Sequence, residues 1–356
     1  MVRKIIFLFI LISVSCSRKQ KETNLSYVSL LPDWVTDRIF LEDSNAYSIA
    51  KAALGRYLFY DTRLSFNQTK SCGSCHAQEF SFTDNYRRSA GAMGDLTAHN
   101  APALINLVLN PYLTYTDSSL HFPEQQIHNP MFHTRPVELG WEEHEDEIVS
   151  RIRSHPFYYE KFKDAFPDHH PAITTRTIQL ALATFVKTIV SFKAPFDSFL
   201  SSNDSFTLSP DVRRGYRLFV SDSLKCIRCH GGINFNLPPD GAPPYFNTGF
   251  FPDTSVHRGL MQTTGKSADA GKYRVPTLRN LAYTAPYLHD GSVEHLEEVI
   301  IRYENGGVRF DQLKHPFITG FRLNSQQRLD LIRFLFSLSD STLRNQPKYR
   351  NPFGQL

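Results

Sequence analysis

Four of the five cysteines fall in two pentapeptides of one pattern, Cys72-Gly73-Ser74-Cys75-His76 and Cys226-Ile227-Arg228-Cys229-His230. This is the attachment signature of c-type haem. Two thiols three residues apart share one face of a helical turn and can each add to a haem vinyl, while the adjacent imidazole swings under the ring to ligate iron. The same thiols admit two local disulfides or a shared zinc centre. A zinc ribbon, however, separates its pairs by about 15–20 residues, and 150 residues lie between Cys75 and Cys226. With 14 His in 356 residues, chance would place a His after both pairs roughly once in 600 sequences. Two covalent haems are expected, one on Cys72 and Cys75 with His76 as iron ligand, the other on Cys226 and Cys229 with His230.

The elements that must carry these motifs are helical. Gly55-Arg56-Tyr57-Leu58-Phe59-Tyr60-Asp61 precedes the first motif and Gly215-Tyr216-Arg217-Leu218-Phe219 the second, a partial internal repeat that points to two related haem modules in tandem. Each run has helical apolar spacing, as do Thr174 to Val190, Leu296 to Tyr303 and Ser325 to Ser337, the last opened by a cap at Asn324 or Ser325. Strand-like alternation is scarce. The expected fold is therefore mainly α, two tandem cytochrome c-like haem domains with long irregular loops. Those loops are Asn100 to Gly140, broken by five prolines, and Ile233 to Gly271; loops of such length are usually functional. The domain boundary falls between Ala194-Pro195 and Ser209-Pro210, giving an N-terminal domain over 41–200 and a C-terminal one over 201–345.

The amino terminus reads as an export leader over 1–16: Arg3 and Lys4, an apolar stretch from Ile5 to Val14, then Ser15 and Cys16. Ten apolar residues are too few to span a bilayer, which takes about 20. Cys16 sits where a bacterial lipoprotein carries its lipidated cysteine, although Ser13 replaces the usual Leu, and residues 17–40 would form a tether. The body then faces the periplasm, lipid-anchored, or is soluble there if the leader is simply removed. Losing Arg3 and Lys4 takes the formal charge from +4 to +2. A near-neutral chain with no long basic run has no footprint for nucleic acid, and 41% hydrophobic with 21% charged residues excludes a disordered or polytopic membrane chain.

With Asn100-Ala101-Pro102, Pro136-Val137-Glu138-Leu139-Gly140 and Thr284-Ala285-Pro286-Tyr287-Leu288-His289-Asp290-Gly291 added to the two motifs, the chain from about Leu54 to Leu338 resembles the bacterial di-haem cytochrome c peroxidase family, MauG-type enzymes included. The resemblance implies a peroxidatic N-terminal haem, an electron-transfer C-terminal haem and one calcium ion between them. Glu138 then matches the distal glutamate and Gln126 the distal glutamine. Peroxide cleavage needs such a group, because a proton must move from the inner to the outer oxygen. Asn100, Thr284 and Pro286 match the residues whose oxygens hold the calcium, a hard cation suited to them.

Three departures bear on subtype. The distal His of the classical peroxidases is replaced by Ala92, which cannot ligate iron, so the first haem is expected to be open without reductive activation, unless Met93, His99, His121, His128 or His133 substitutes. The usual Met ligand of the second haem falls on Tyr303, as in MauG-type enzymes, with Met261 as the alternative; a phenolate favours higher iron states where a thioether raises the potential. The usual bridging Trp is absent, leaving Tyr115 as the relay aromatic and Trp141 as a second choice.

The expected activity is peroxide reduction, or peroxide-driven oxidation of an electron donor or protein partner. The rival is a membrane-tethered di-haem carrier without chemistry of its own.

Overall fold

The computed structural model describes residues 26–35, 39–41, 44–202, 204, 207–307 and 312–354. The expected leader 1–16, Cys16 and the tether as far as residue 25 lie outside the described residues. The chain is mainly helical. The first half carries α1 (Ile49–Tyr60), α2 (Cys72–Cys75), α3 (Pro123–Gln126), α4 (His128–Phe132), α5 (Glu145–Arg153), α6 (Pro156–Ala165) and α7 (Thr175–Lys187). The second carries α8 (Pro195–Ser202), α9 (Pro210–Phe219), α10 (Met261–Thr264), α11 (Leu296–Asn305) and α12 (Ser325–Ser337). The two strands, β1 (Tyr245–Phe246) and β2 (Tyr273–Arg274), form one antiparallel pair with Tyr245 opposite Arg274. Long irregular segments make up the rest.

Local chemistry sets the helix ends. The Ser48 side chain accepts from Lys51 N at the start of α1. Thr174 and Thr177 cap α7 reciprocally, and Asn324 and Gln327 do the same for α12. Helix α12 begins and ends at the residues its periodicity marks, with Asn324 as its cap. Helix α7 stops three residues short of Val190, because the Ile189 carbonyl is taken by Asn106 N at 2.8 Å and the chain turns away.

Each half is built on one close helix crossing, and the internal repeat supplies it. A Cβ at Gly55 of α1 would lie 2.0 Å from the Ala181 carbonyl oxygen and 2.8 Å from Phe185 Cβ of α7. At Gly215 of α9 the corresponding distances are 2.0 Å to the Asp330 carbonyl oxygen and 2.8 Å to Phe334 Cβ of α12. Absent side chains let the axes approach, and the aromatic partners then pack at 5.1 Å in both halves, Phe59 edge-on to Phe185 and Phe219 tilted against Phe334. Each such fully buried ring contributes about 1.5–3 kcal/mol.

A second repeat follows each haem motif. Pro102-Ala103-Leu104-Ile105-Asn106-Leu107 corresponds to Pro276-Thr277-Leu278-Arg279-Asn280-Leu281. Asn106 (φ 52°) and Asn280 (φ 65°) are both left-handed and both open a 3-10 turn, a conformation Asn tolerates better than most residues. They meet at Ser191, whose N donates to Asn106 Oδ1 at 2.7 Å and whose Oγ accepts from Asn280 Nδ2 at 3.1 Å. The two halves are thus joined by a buried polar seam, closed by the Arg279–Asp197 ion pair at 2.9 Å.

The apolar core divides accordingly. One cluster gathers α1, α6 and α7; a second gathers α9, α11 and α12. Helix α8, which lies within the expected boundary region, gives Phe196 to the second cluster. Leu343 and Tyr349 of the carboxyl tail return to the first. Tyr27 and Leu31, counted within the expected tether, are buried with Val108, Leu109 and Phe192, because their apolar side chains find cover that a tether would not offer. No helix among the described residues is long and apolar enough to cross a membrane.

Candidate functional site

Both attachment motifs fold as tight turns that return the imidazole to the first cysteine: His76 N donates to Cys72 O at 3.0 Å and His230 N to Cys226 O at 2.9 Å. Each ring is then fixed from behind. His76 Nδ1 donates to Phe82 O at 2.8 Å and His230 Nδ1 to Phe235 O at 3.0 Å. Phe82 (φ 63°) and Phe235 (φ 53°) are themselves left-handed, a costly conformation for an aromatic residue, retained where it aims a group. The bond fixes the tautomer and leaves Nε2 free as an iron ligand. Burial pushes both imidazoles down, His230 to about 4, so each ring is held in the neutral, ligating form.

Both motifs open on one cavity of about 720 Å³. The four thiols are unpaired, and burial pushes Cys72 and Cys226 up to about 12 and Cys75 and Cys229 up to about 11. Among the described residues no three His, Cys, Asp or Glu side chains converge as a metal-ion site. Two thiols and one free imidazole nitrogen at each of two places on an apolar-walled cavity form the donor set that haem c requires.

Glu138 lines this cavity, and burial raises its carboxyl. Its charge in turn raises the Cys72 and Cys75 thiols, so it stands within electrostatic reach of the first motif. Its backbone is pinned on both sides. Ala92 N donates to Val137 O and Glu138 O at 3.0 Å each, Leu139 N to Pro130 O at 3.0 Å, and Phe66 N to Leu139 O at 2.9 Å. Gly91 permits the first of these contacts, since a Cβ there would stand 2.1 Å from Val137 O. Gln126 lines the same cavity, its Oε1 accepting from Asn129 Nδ2 at 3.3 Å. It ends α3, which is anchored through buried Glu124 to Lys187 of α7 and to Asn45 Nδ2 at 2.5 Å.

Of the residues near Ala92, Met93 is 63% exposed, His121 Nδ1 donates to Pro111 O, and His128 stacks on Phe132; only His99 and His133 reach the cavity wall. His99 is occupied with Tyr115, Tyr273 and His289.

On the other side Tyr303 lines the cavity, edge-on to Phe250 at 4.7 Å. Its phenol is pushed well up by burial and by the neighbouring Cys229 and Cys226. Met261, at the start of α10, is not part of the wall. Tyr115 is in the wall, its phenol raised by burial, with the Arg274 guanidinium 5.5 Å from its ring. Trp141 is not: fully buried, it donates from Nε1 to Leu64 O at 2.7 Å as a core residue. Asn100 from the first half and Thr284 and Pro286 from the second each line the cavity. Asn100 N donates to His289 O at 2.8 Å, and Nδ2 donates to Tyr86 O at 2.8 Å, which orients the amide. Phe82, Phe235 and Arg274 escaped the sequence reading, because nothing in a lone Phe or Arg announces a carbonyl or cation aimed at a cavity.

Residues 49–205 match the family model described as di-haem cytochrome c peroxidase. The methylamine utilization protein MauG of Methylorubrum extorquens is 30% identical over 295 residues, 83% of this chain and 80% of that one. Cytochrome c551 peroxidase of Nitrosomonas europaea is 33% identical over 253 residues, 70% and 71% of the two chains. A crystal structure of a MauG-like protein associated with microbial copper homeostasis superimposes with TM-score 0.86 at 35% identity, covering 91% of this chain and 98% of that one. Doubled CxxCH turns on a shared cavity and likeness along nearly the whole body agree, and the chain belongs to the di-haem cytochrome c peroxidase family.

Proposed function

We propose that this chain reduces hydrogen peroxide beside His76 and passes the oxidising equivalents to an electron donor or a protein partner. The observation that carries this reading is that Glu138 lines the same cavity as Cys72 and Cys75, within electrostatic reach of both, and that this cavity also holds the second motif. Haem bound at both motifs supplies the iron that exchanges electrons with peroxide. Glu138 takes a proton from one peroxide oxygen and returns it to the other, so that the departing oxygen leaves as water. Burial raises its carboxyl toward the working pH, which suits a group that must both accept and release a proton. Gln126, neutral and in the same wall, orients peroxide by hydrogen bonding. Ala92 contributes only its backbone N–H, so no side chain from that position competes for the iron.

On the second side Tyr303, with His230, would hold the iron, and Tyr115 in the same wall would serve as the electron relay. Asn100, Thr284 and Pro286 supply oxygens to one calcium ion and tie the halves together there. The leader ending at Cys16 directs the chain to the periplasm, anchored by lipid on that cysteine.

The ferric optical and EPR spectra, taken before and after hydrogen peroxide, test the reading. A high-spin component that peroxide alters is expected. Two low-spin haems indifferent to peroxide would overturn it in favour of the carrier, a reading with no named relative behind it among those above.

A further inference from the structure

Three cations are buried in the described body: Lys187, Arg274 and Arg279, at 0%, 5% and 1% exposure. Lys187 has the carboxylate of Glu124 and Arg279 that of Asp197. Arg274 has none among the described residues. Its one side-chain hydrogen bond runs from a terminal nitrogen to the Val275 carbonyl at 3.1 Å, and its Nε is buried with no acceptor. The titratable groups nearest it are the phenols of Tyr115 and Tyr245, which burial keeps protonated and uncharged. An arginine stays protonated in such a place, and a buried charge without a counter-charge is strongly disfavoured. The missing anion must therefore arrive from the cavity that Arg274 lines.

We propose that Arg274 is the seat of a carboxylate of the haem attached at Cys226 and Cys229, and that this ion pair also fixes Tyr115 beneath the guanidinium. Arg274 precedes by two residues Pro276, whose backbone lies against the His230 ring, so the side chain stands beside the second motif. Its backbone N donates to Tyr115 O at 3.0 Å and its guanidinium lies 5.5 Å from the Tyr115 ring. Haem brings two propionates that must themselves be neutralised on burial, and a guanidinium presents paired donors matched to a carboxylate. The structural repeat makes the assignment one-sided. Asn100 holds the corresponding place two residues before Pro102, so the first half offers a neutral amide where the second offers a cation. A cation beside one haem alone stabilises its reduced form, since reduction adds an electron there.

The inference rests on haem being attached at both motifs, and that premise is measured first, as covalent haem per chain. Arg274→Gln and Arg274→Lys are then compared with the parent chain by spectroelectrochemical titration of both haems and by resonance Raman of the propionate bending modes. The expected result is two attached haems, a lower potential for the second haem in the Gln variant, recovery in the Lys variant, and propionate bands that move in both, because an ammonium and a guanidinium hydrogen-bond differently. Two attached haems with unmoved potentials and bands, or movement at the first haem only, would overturn the proposal while leaving the di-haem reading intact. If the Gln variant fails to fold, an unmoved propionate band in the Lys variant overturns it alone. A parent chain lacking haem at Cys226 and Cys229 would sink premise and proposal together.

Discussion

Gly215 rests directly on the Asp330 carbonyl, where an added Cβ would stand 2.0 Å from the oxygen. The contact is backbone to backbone, so no flexible side chain can give way, and Gly215→Ala must push α9 off α12. Overpacking of this kind costs about 1–3 kcal/mol. The unfolding free energy should fall by that amount, read as a lower denaturant midpoint at unchanged slope, and Gly55→Ala should do the same through Ala181 in the other half. An unchanged midpoint in either variant would mean that the crossing is looser than the structure has it.

What the sequence made legible is what chemistry or periodicity keeps local. The attachment motifs need two thiols and an imidazole within five residues, and α12 carries its own cap and apolar stripe, so both could be read without a fold. Glycines 55 and 215 were visible as a repeat, but their reason lies in α7 and α12, more than a hundred residues away in chain order. Phe82 and Phe235 were not legible, because a left-handed Phe carbonyl behind a histidine has no compositional mark. Which core takes α8, a helix inside the expected boundary region, was not legible for a similar cause: Phe196 is as apolar for one core as for the other, and it packs in the second. That Asn100 lines the same cavity as Thr284 and Pro286 was expected only through family likeness, since 184 positions separate the first two in the chain.

Glu138→Gln should retain both haems and lose about 10²–10⁴-fold in peroxide turnover, the usual worth of a positioned proton-transfer group. The parent chain should gain activity as pH rises through a carboxyl pKa lying above the ordinary 4.5, since burial raises it, and the variant should lack that acid limb. The linkage to stability has the opposite sense. A raised carboxyl leaves the folded state unpenalised below the ordinary value of 4.5, and the penalty grows as pH rises from there until it is complete above the folded value. Steady-state peroxide removal across pH, with covalent haem content as control, checks both; a variant at full rate removes Glu138 from the chemistry.

Tyr303→Met replaces a phenol at the cavity wall by a thioether, which raises a haem potential. The second haem should shift upward on redox titration and the first should hold. Met261→Leu should leave both spectra and potentials as they were, because Met261 is not part of that wall. If Met261→Leu moved the second haem instead, the ligand assignment would pass to Met261.

A chelator that strips calcium should lower peroxide turnover, and added calcium should restore it, because the proposed oxygens of Asn100 and Thr284 come from opposite halves around one cavity. Asn100→Ala should weaken calcium binding in isothermal titration. Turnover indifferent to chelation, in protein shown to be metal-free, would count against the site.

Lys187→Met leaves Glu124 buried at 2% exposure without its cation. Removing one partner of such a pair costs about 3–5 kcal/mol, whereas replacing both can be nearly neutral. The double variant Lys187→Met with Glu124→Gln should therefore recover most of the denaturant midpoint lost by the single one, the more so because a Gln oxygen can still accept from Asn45 Nδ2. Helix α3 makes the consequence functional as well as structural. Glu124 and Gln126 share its single turn, so an unpaired Glu124 drawn toward water carries Gln126 out of the cavity wall. Peroxide reactivity of the first haem should drop in the single variant and return in the double. Recovery of stability without recovery of reactivity would show that the pair supports the fold but does not seat Gln126.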